Sequence, residues 1–163
     1  RPSMQQYLST KEELIEASTT MFKKVSSGDL KIKIFKKYNA KDGVGIYELI
    51  KNNVKVGIIS HSEKGDGIKS RASYLGIKHC HVGNEPKEEI LKRWIKKLEI
   101  KLEDVAFIGD DINDLSIINI VGFSACPNDS SDPVKRKVSL VLNTKGGYGC
   151  VREFSDLYLT QNL

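Results

Sequence analysis

Three carboxylates within five positions, Asp110, Asp111 and Asp114, are the densest chemistry in the chain. They follow Gly109, which itself follows Val105-Ala-Phe-Ile108, an unbroken apolar run that predicts a buried parallel strand. Adjacent carboxylates at the end of a buried strand lose hydration and repel one another, so they need a neutralising partner. A hard cation is such a partner: Mg²⁺ is usually held by one or two carboxylates together with substrate phosphate oxygens. The position also fits, because open α/β sheets bind ligands beyond the carboxyl ends of their strands. The simpler reading is a polar loop in which Asp114 caps the helix that follows.

Two further groups stand at comparable places. Ser60 follows a second strand pattern, Val54-Lys-Val-Gly-Ile-Ile59, and Lys87 lies in the turn after a third, His79-Cys-His-Val82. A hydroxyl, an ammonium and a metal-binding acid cluster on one sheet edge make a phosphate site. The hydroxyl and ammonium bind phosphoryl oxygens, and the cation neutralises charge that builds during transfer. Taken singly, a serine after a strand is an ordinary turn residue, and a lysine at a helix start is ordinarily solvated. The signal is in their order and placement.

The elements that must position these groups alternate from residue 39 onward. A helix is predicted from Asn39-Ala-Lys-Asp-Gly43 to the Asn52-Asn53 pair, then the strand ending at Ile59, then a helix from Asp66 to Leu75 with Gly76 as its C-cap. After His79–Val82, Asn84-Glu-Pro86 opens a helix with Pro86 early in its first turn and an apolar stripe of Ile90, Leu91, Trp94, Ile95 and Leu98. The strand to Ile108 and a helix over Asp114–Asn119 follow. Next come a strand Phe123–Cys126, a short helix Pro133–Lys137, a strand Val138–Leu142 and a final helix Val151–Leu159. This order predicts an α/β fold, a doubly wound parallel sheet.

Ahead of it, Phe22-Lys-Lys-Val25 and Leu30-Lys-Ile-Lys-Ile-Phe35, separated by Ser26-Ser-Gly-Asp29, predict a β-hairpin within residues 21–38. Seven lysines lie between Phe22 and Lys41 against one acid, Asp29. They suit either a lysine-protected edge or a basic flap over an anionic substrate. Residues 1–20 form an atypical N-terminal segment. Gln6–Ser9 has a weak strand signal, and Thr10 ahead of Lys11-Glu-Glu13 reads as a helix N-cap.

Bulk properties bound the function. A chain of 163 residues makes one domain, 1–163, and a composition of 39% hydrophobic and 29% charged residues is that of a globular protein. The net charge of +5 suits an acidic ligand, but it is diffuse, and 7% aromatic content leaves few platforms for stacking bases, so no nucleic-acid partner is expected. Cys80, Cys126 and Cys150 fit neither a zinc pattern nor a disulfide framework, and free thiols suit a reducing compartment. With no membrane-length apolar run and no signal-peptide pattern, a cytoplasmic protein without a membrane partner is expected.

The sequence Ser60, Lys87 and Gly109-Asp-Asp-Ile-Asn-Asp114 resembles motifs two, three and four of the haloacid dehalogenase superfamily. Within it, the chain is similar to the small capless subfamily of 3-deoxy-octulosonate (KDO) phosphate phosphatases. That subfamily also includes the phosphatase-like C-terminal domain of acylneuraminate cytidylyltransferases. The similarity runs from about Gly28 to Leu159 and includes Asn39-Ala-Lys-Asp-Gly-Val-Gly-Ile46, Val56-Gly-Ile-Ile-Ser60, Arg71-Ala-Ser-Tyr-Leu-Gly-Ile77, Val121-Gly122 and Gly146-Gly-Tyr-Gly-Cys-Val-Arg-Glu153. The resemblance implies that Ser60 and Lys87 bind phosphate, that Asp110 and Asp111 bind Mg²⁺ and that Asp114 orients Lys87. It further implies a phosphorylated sugar-acid substrate and a homotetramer assembled through the hairpin flap, with Gly146–Arg152 near the shared edge.

The chain departs from the family in one large respect. The first motif, an Asp-x-Asp-Gly run that supplies nucleophile and general acid/base, belongs ahead of the hairpin, and no aspartate precedes Asp29. The stretch there, Leu8-Ser-Thr-Lys-Glu-Glu-Leu-Ile-Glu-Ala17, holds Glu12, Glu13 and Glu16 alone, and a charged helix turn suits them. A glutamate nucleophile would misplace the attacking oxygen, and a displacement of about 1 Å costs on the order of a hundredfold. His61, where the subfamily tends to have glycine, sets a ring beside the phosphate pocket. Two readings stand: a Mg²⁺-dependent phosphatase-like domain, or a catalytically inactive relative kept for oligomerisation or ligand binding. A two-component receiver domain, whose acids come after the first strand, has the wrong order.

Overall fold

The computed structural model describes residues 19–24, 30–35, 38–62 and 65–161. The strand signal at Gln6–Ser9, the helix signal after Thr10 and the glutamates Glu12, Glu13 and Glu16 lie outside them. The hairpin forms as its alternation predicts: β1 (Thr19–Lys24) and β2 (Leu30–Phe35) pair antiparallel, with Phe22 opposite Ile32.

Beyond the hairpin, strands and helices alternate: α1 (Ala40–Lys51), β3 (Gly57–Ser60), α2 (Asp66–Tyr74), β4 (His79–Val82), α3 (Lys87–Leu98), β5 (Ala106–Ile108), α4 (Leu115–Ile118), β6 (Phe123–Cys126), α5 (Asp132–Lys135), β7 (Leu140–Val141) and α6 (Cys150–Gln161). Local chemistry sets the ends. Asn39 caps α1 by accepting from the Lys41 amide at 2.8 Å, and Gly76 takes the positive φ of 75° that closes α2. Pro86 stands at the N-cap of α3 rather than inside its first turn. Its lack of an N–H costs nothing there, and its fixed φ precedes the helix smoothly.

The strands are parallel, as expected of an α/β fold, and among the described residues they pair as β3–β4 and β5–β6–β7. No hydrogen-bonded pairing joins β3 to β5 among the described residues. This changes the expectation for both strands. Val54–Ile59 and Val105–Ile108 read as fully buried, yet Gly57 and Ala106 are exposed and their neighbours only half-buried. The β3 ladder begins at Gly57 instead of Val54, and β7 keeps two residues of the expected five.

The three-stranded ladder carries an apolar layer on each face. On one, Ala125, Leu142, Cys150 and Phe154 pack together with Ile108 and Phe123; on the other, Ile118, Cys126 and Val134 pack with Phe107 and Leu115. Phe107 and Ile108 thus alternate between layers, as a strand's period of two requires. Helix α1 lies directly on α6 at Gly45, where a Cβ would stand 2.9 Å from both Arg152 Cα and Ser155 Oγ. Across the same contact the Arg152 amide donates to Asp42 Oδ1 at 2.9 Å.

Candidate functional site

The site grows out of the turn that ends β5. Gly109 is buried, and a Cβ there would lie 2.7 Å from both Asp114 Cβ and Phe107 Cε1. Only glycine lets the chain turn back so that Asp114 folds beneath the two residues it follows. Asp114 Oδ2 then accepts from the amides of Asp110 at 3.0 Å and Asp111 at 3.3 Å. Asp111 caps the short 3₁₀ turn Ile112–Asp114, accepting from the Ile112 amide at 2.7 Å. Asp114 therefore does not cap the following helix with its side chain; Asp111 takes the local capping task.

The other oxygen of Asp114 meets Lys87. Lys87 opens α3, and its Nζ donates to Asp114 Oδ1 at 2.5 Å. The two residues are 8% and 3% exposed, so this is a buried, charge-assisted hydrogen bond. Both Asp114 oxygens are committed within the protein, which makes it a clamp holding ammonium and acid loop together. The ammonium has three donors and gives one to Asp114.

Asp110 is placed differently. Its backbone carbonyl accepts from the Ser131 amide at 3.0 Å, which ties the acid loop to the start of α5. Its carboxylate accepts from no other residue among the described ones. Partial burial, and then the negative charges of Asp114 and Asp111, hold that carboxyl above the usual aspartate range, although Lys87 pulls the other way.

Ser60 ends β3, its carbonyl accepting from the Gly83 amide at 3.0 Å and its Oγ from the Ser62 amide at 3.3 Å. Ser60, Lys87, Asp110, Asp111 and Asp114 all line one cavity of about 930 Å³, with His61 and Asn113 beside them. The structure brings all five sequence-selected residues to the carboxyl ends of β3 and β5. At that end, among the described residues, Asp110, Asp111 and Asp114 are the carboxylates that line the cavity.

Several of the pairings had no local sequence signal. His61 does not fill the pocket freely: its Nε2 donates to the Glu85 carbonyl at 2.9 Å, which fixes the ring against the turn before α3. Glu85 also takes two hydrogen bonds from Arg93, nearly two turns into α3, and this pairing holds its carboxyl below the usual range. Glu153 gathers the loop after β7: it accepts from the Asn143 and Thr144 amides, each at 2.9 Å, and from Asn143 Nδ2 at 3.1 Å. Asn39 Nδ2 reaches the Gly147 carbonyl at 3.2 Å, binding the Gly146–Arg152 segment to the start of α1. These are pairings between distant parts of the chain. In the sequence they appear only as polar residues near glycines.

Comparison with known proteins bears on this arrangement. Residues 3–152 match the haloacid dehalogenase-like hydrolase family, and the chain belongs to it. The 3-deoxy-D-manno-octulosonate 8-phosphate phosphatase of Yersinia pestis is 36% identical over 124 residues, 76% of this chain and 66% of that protein. A crystal structure of the Yersinia pestis phosphatase superposes with a TM-score of 0.76 at 32% identity, covering 87% of this chain and 75% of that one. The Moraxella catarrhalis phosphatase, solved with a magnesium ion, a phosphate ion and a KDO molecule, has a TM-score of 0.71 at 26% identity over 96% of this chain and 92% of that one. The chain thus spans just under two thirds of the curated Yersinia relative's length. No helix among the described residues is long and apolar enough to cross a membrane.

Proposed function

We propose that this chain is a Mg²⁺-dependent phosphatase-like domain for a phosphorylated acidic sugar. The observation that carries the reading is the buried Lys87–Asp114 pair, which shares one cavity end with Ser60 and the unpartnered Asp110 carboxylate. In this reading Ser60 Oγ and the free Lys87 N–H groups bind phosphoryl oxygens, and Asp114 holds the ammonium in place. Asp110 and the second oxygen of Asp111 are hard oxygen donors suited to Mg²⁺, which keeps several waters and takes the remainder of its shell from phosphate. Partial burial and then the charges of Asp114 and Asp111 raise Asp110, and a divalent cation would offset both. When bound, the ion would neutralise the phosphoryl group's charge. The named relatives, 3-deoxy-D-manno-octulosonate 8-phosphate phosphatases, support a sugar-acid phosphate of that kind.

The wider setting belongs to the same proposal: a homotetramer joined through the β1–β2 hairpin, working in the cytoplasm, as a free enzyme or as the phosphatase-like part of an acylneuraminate cytidylyltransferase-type protein. One observation favours the non-hydrolytic reading beside it. Among the described residues no carboxylate beyond Asp110, Asp111 and Asp114 stands at this end of the cavity to attack phosphorus. Phosphate release from 3-deoxy-octulosonate 8-phosphate with Mg²⁺, measured beside Asp110→Asn, separates the two. Release that disappears in the variant establishes hydrolysis. Mg²⁺-dependent binding of the sugar phosphate without release establishes a binding domain, and absence of both refutes the proposal.

A further inference from the structure

Ser60 and Lys87 belong to separate turns: Ser60 closes β3, and Lys87 opens α3. The β3–β4 pairing joins these turns as far as the Gly83 amide, which donates to the Ser60 carbonyl at 3.0 Å. Beyond Gly83 the chain runs through Asn84 and Glu85 to Pro86, which has no N–H and caps α3 with no side-chain hydrogen bond. Regular bonding resumes at the Pro86 carbonyl, which accepts from the Glu89 amide at 3.1 Å. Among the described residues, no backbone hydrogen bond fixes Asn84 or Glu85 between these points. The turn that carries the ammonium takes its anchor from elsewhere.

His61 supplies that anchor. Its Nε2 lies 2.9 Å from the Glu85 carbonyl, and a carbonyl only accepts, so Nε2 carries the proton. His61 directly follows Ser60, and Glu85 stands two residues before Lys87. Glu85 is fixed in turn against the helix that Lys87 opens. Its carboxylate accepts from both terminal nitrogens of the Arg93 guanidinium, with Nη2 at 3.0 Å. A bidentate arginine–carboxylate pair fixes direction as well as distance. A chain of contacts therefore runs from the residue beside Ser60, through Glu85, into the body of α3.

We infer, on the phosphate reading above, that His61 is a positioning residue. Through the Glu85 carbonyl it sets the spacing between the Ser60 hydroxyl and the Lys87 ammonium, and so the affinity of the site for phosphate. Lys87 is then held from two sides, by Asp114 toward the acid loop and by the His61–Glu85 tie toward Ser60. Donors fixed before the anion arrives need no reorganisation when it binds. The tie uses Nε2 alone. A direct contact from Nδ1 to the phosphate is the alternative, since His61 also lines the cavity.

Side-chain reach separates the two. Glutamine carries its amide N–H₂ as far from Cα as imidazole Nε2, and asparagine carries its own as far as Nδ1. Isothermal titration of inorganic phosphate, with Mg²⁺ present, into the full 163-residue chain compares the parent with His61→Gln, His61→Asn and His61→Ala. Circular dichroism checks the fold of each. His61→Gln should keep the affinity within about twofold, while His61→Asn and His61→Ala should each lose about fivefold or more, the worth of one hydrogen bond. Nitrogen-15 spectra of the parent without metal or phosphate, at a pH where the ring is neutral, should show His61 as the Nε2–H tautomer. Affinity unchanged in all three variants, equal loss in all three, or retention by His61→Asn alone would overturn the inference, as would an Nδ1–H tautomer. A parent chain that binds no phosphate would bring down the phosphate reading itself, and the positioning role with it.

Discussion

Replacing Lys87 by methionine keeps most of the side-chain volume and removes the ammonium from a partner that is 3% exposed. Asp114 would then be a buried carboxylate with only the Asp110 and Asp111 amides to satisfy it. Removing one member of a buried ion pair costs about 3–5 kcal/mol. The two remaining donors offset part of that, so about 3 kcal/mol is expected, a large share of the roughly 5–15 kcal/mol that holds a domain together. Asp114→Asn should cost at least as much, since it strands Lys87 and weakens the acceptor for the loop amides. In Lys87→Met/Asp114→Asn neither charge is left alone, so the double variant should lose less than the two singles together, with a coupling of about 2–3 kcal/mol. Urea unfolding followed by far-ultraviolet circular dichroism measures all four proteins, with the slope unchanged if the unfolded state is unaffected. A Lys87→Met cost within about 0.5 kcal/mol, the size of an ordinary surface change, would refute the clamp; so would additive singles.

Gly109→Ala forces a Cβ to within 2.7 Å of Asp114 and Phe107, so it should destabilise by about 1–3 kcal/mol and weaken Mg²⁺ binding as well, measured by unfolding and by calorimetry. Burial alone would raise Glu153, but the donors from Thr144 and Asn143 together outweigh it and hold its carboxyl below the ordinary value. Its contribution to stability is therefore present above the ordinary glutamate pKa of about 4.3 and is lost as pH falls through the lower folded value. Glu153→Gln should flatten that acid limb in urea midpoints measured against pH, and a limb identical to the parent's would contradict the assignment. Asp110 moves the other way: its raised pKa means the carboxylate protonates at a higher pH than an ordinary aspartate. Mg²⁺ affinity should begin to fall on acidification before an ordinary aspartate would titrate, and fluorescence-detected Mg²⁺ titrations across pH 4–7 (a span of about three units around the carboxylate range) would show it.

The acid cluster, the serine and the lysine were legible because each follows a strand, and strand ends converge wherever parallel strands share a sheet. The alternating elements were legible for a related reason: apolar periodicity changes from two to 3.6 at each boundary. What escaped was pairing at long range. Nothing near His61 points to the Glu85 carbonyl, and nothing near Glu153 points to the amides of Asn143 and Thr144, because those partners are chosen by the packed chain. Asp114 was ambiguous between cap and clamp until Lys87 was seen against it. Val105-Ala-Phe-Ile108 has the composition of an interior strand, and among the described residues its one ladder partner is β6.

We propose that Ser60, Lys87, Asp110 and Asp111 build a metal-dependent phosphate site. Isothermal titration of Mg²⁺ into the full chain, with and without inorganic phosphate, tests it most directly. Phosphate should tighten Mg²⁺ binding by about tenfold or more, since two carboxylates alone leave the ion mostly hydrated. Asp110→Asn should abolish this coupling while circular dichroism shows the fold intact. Mg²⁺ binding indifferent to phosphate, or unchanged in Asp110→Asn, would contradict it.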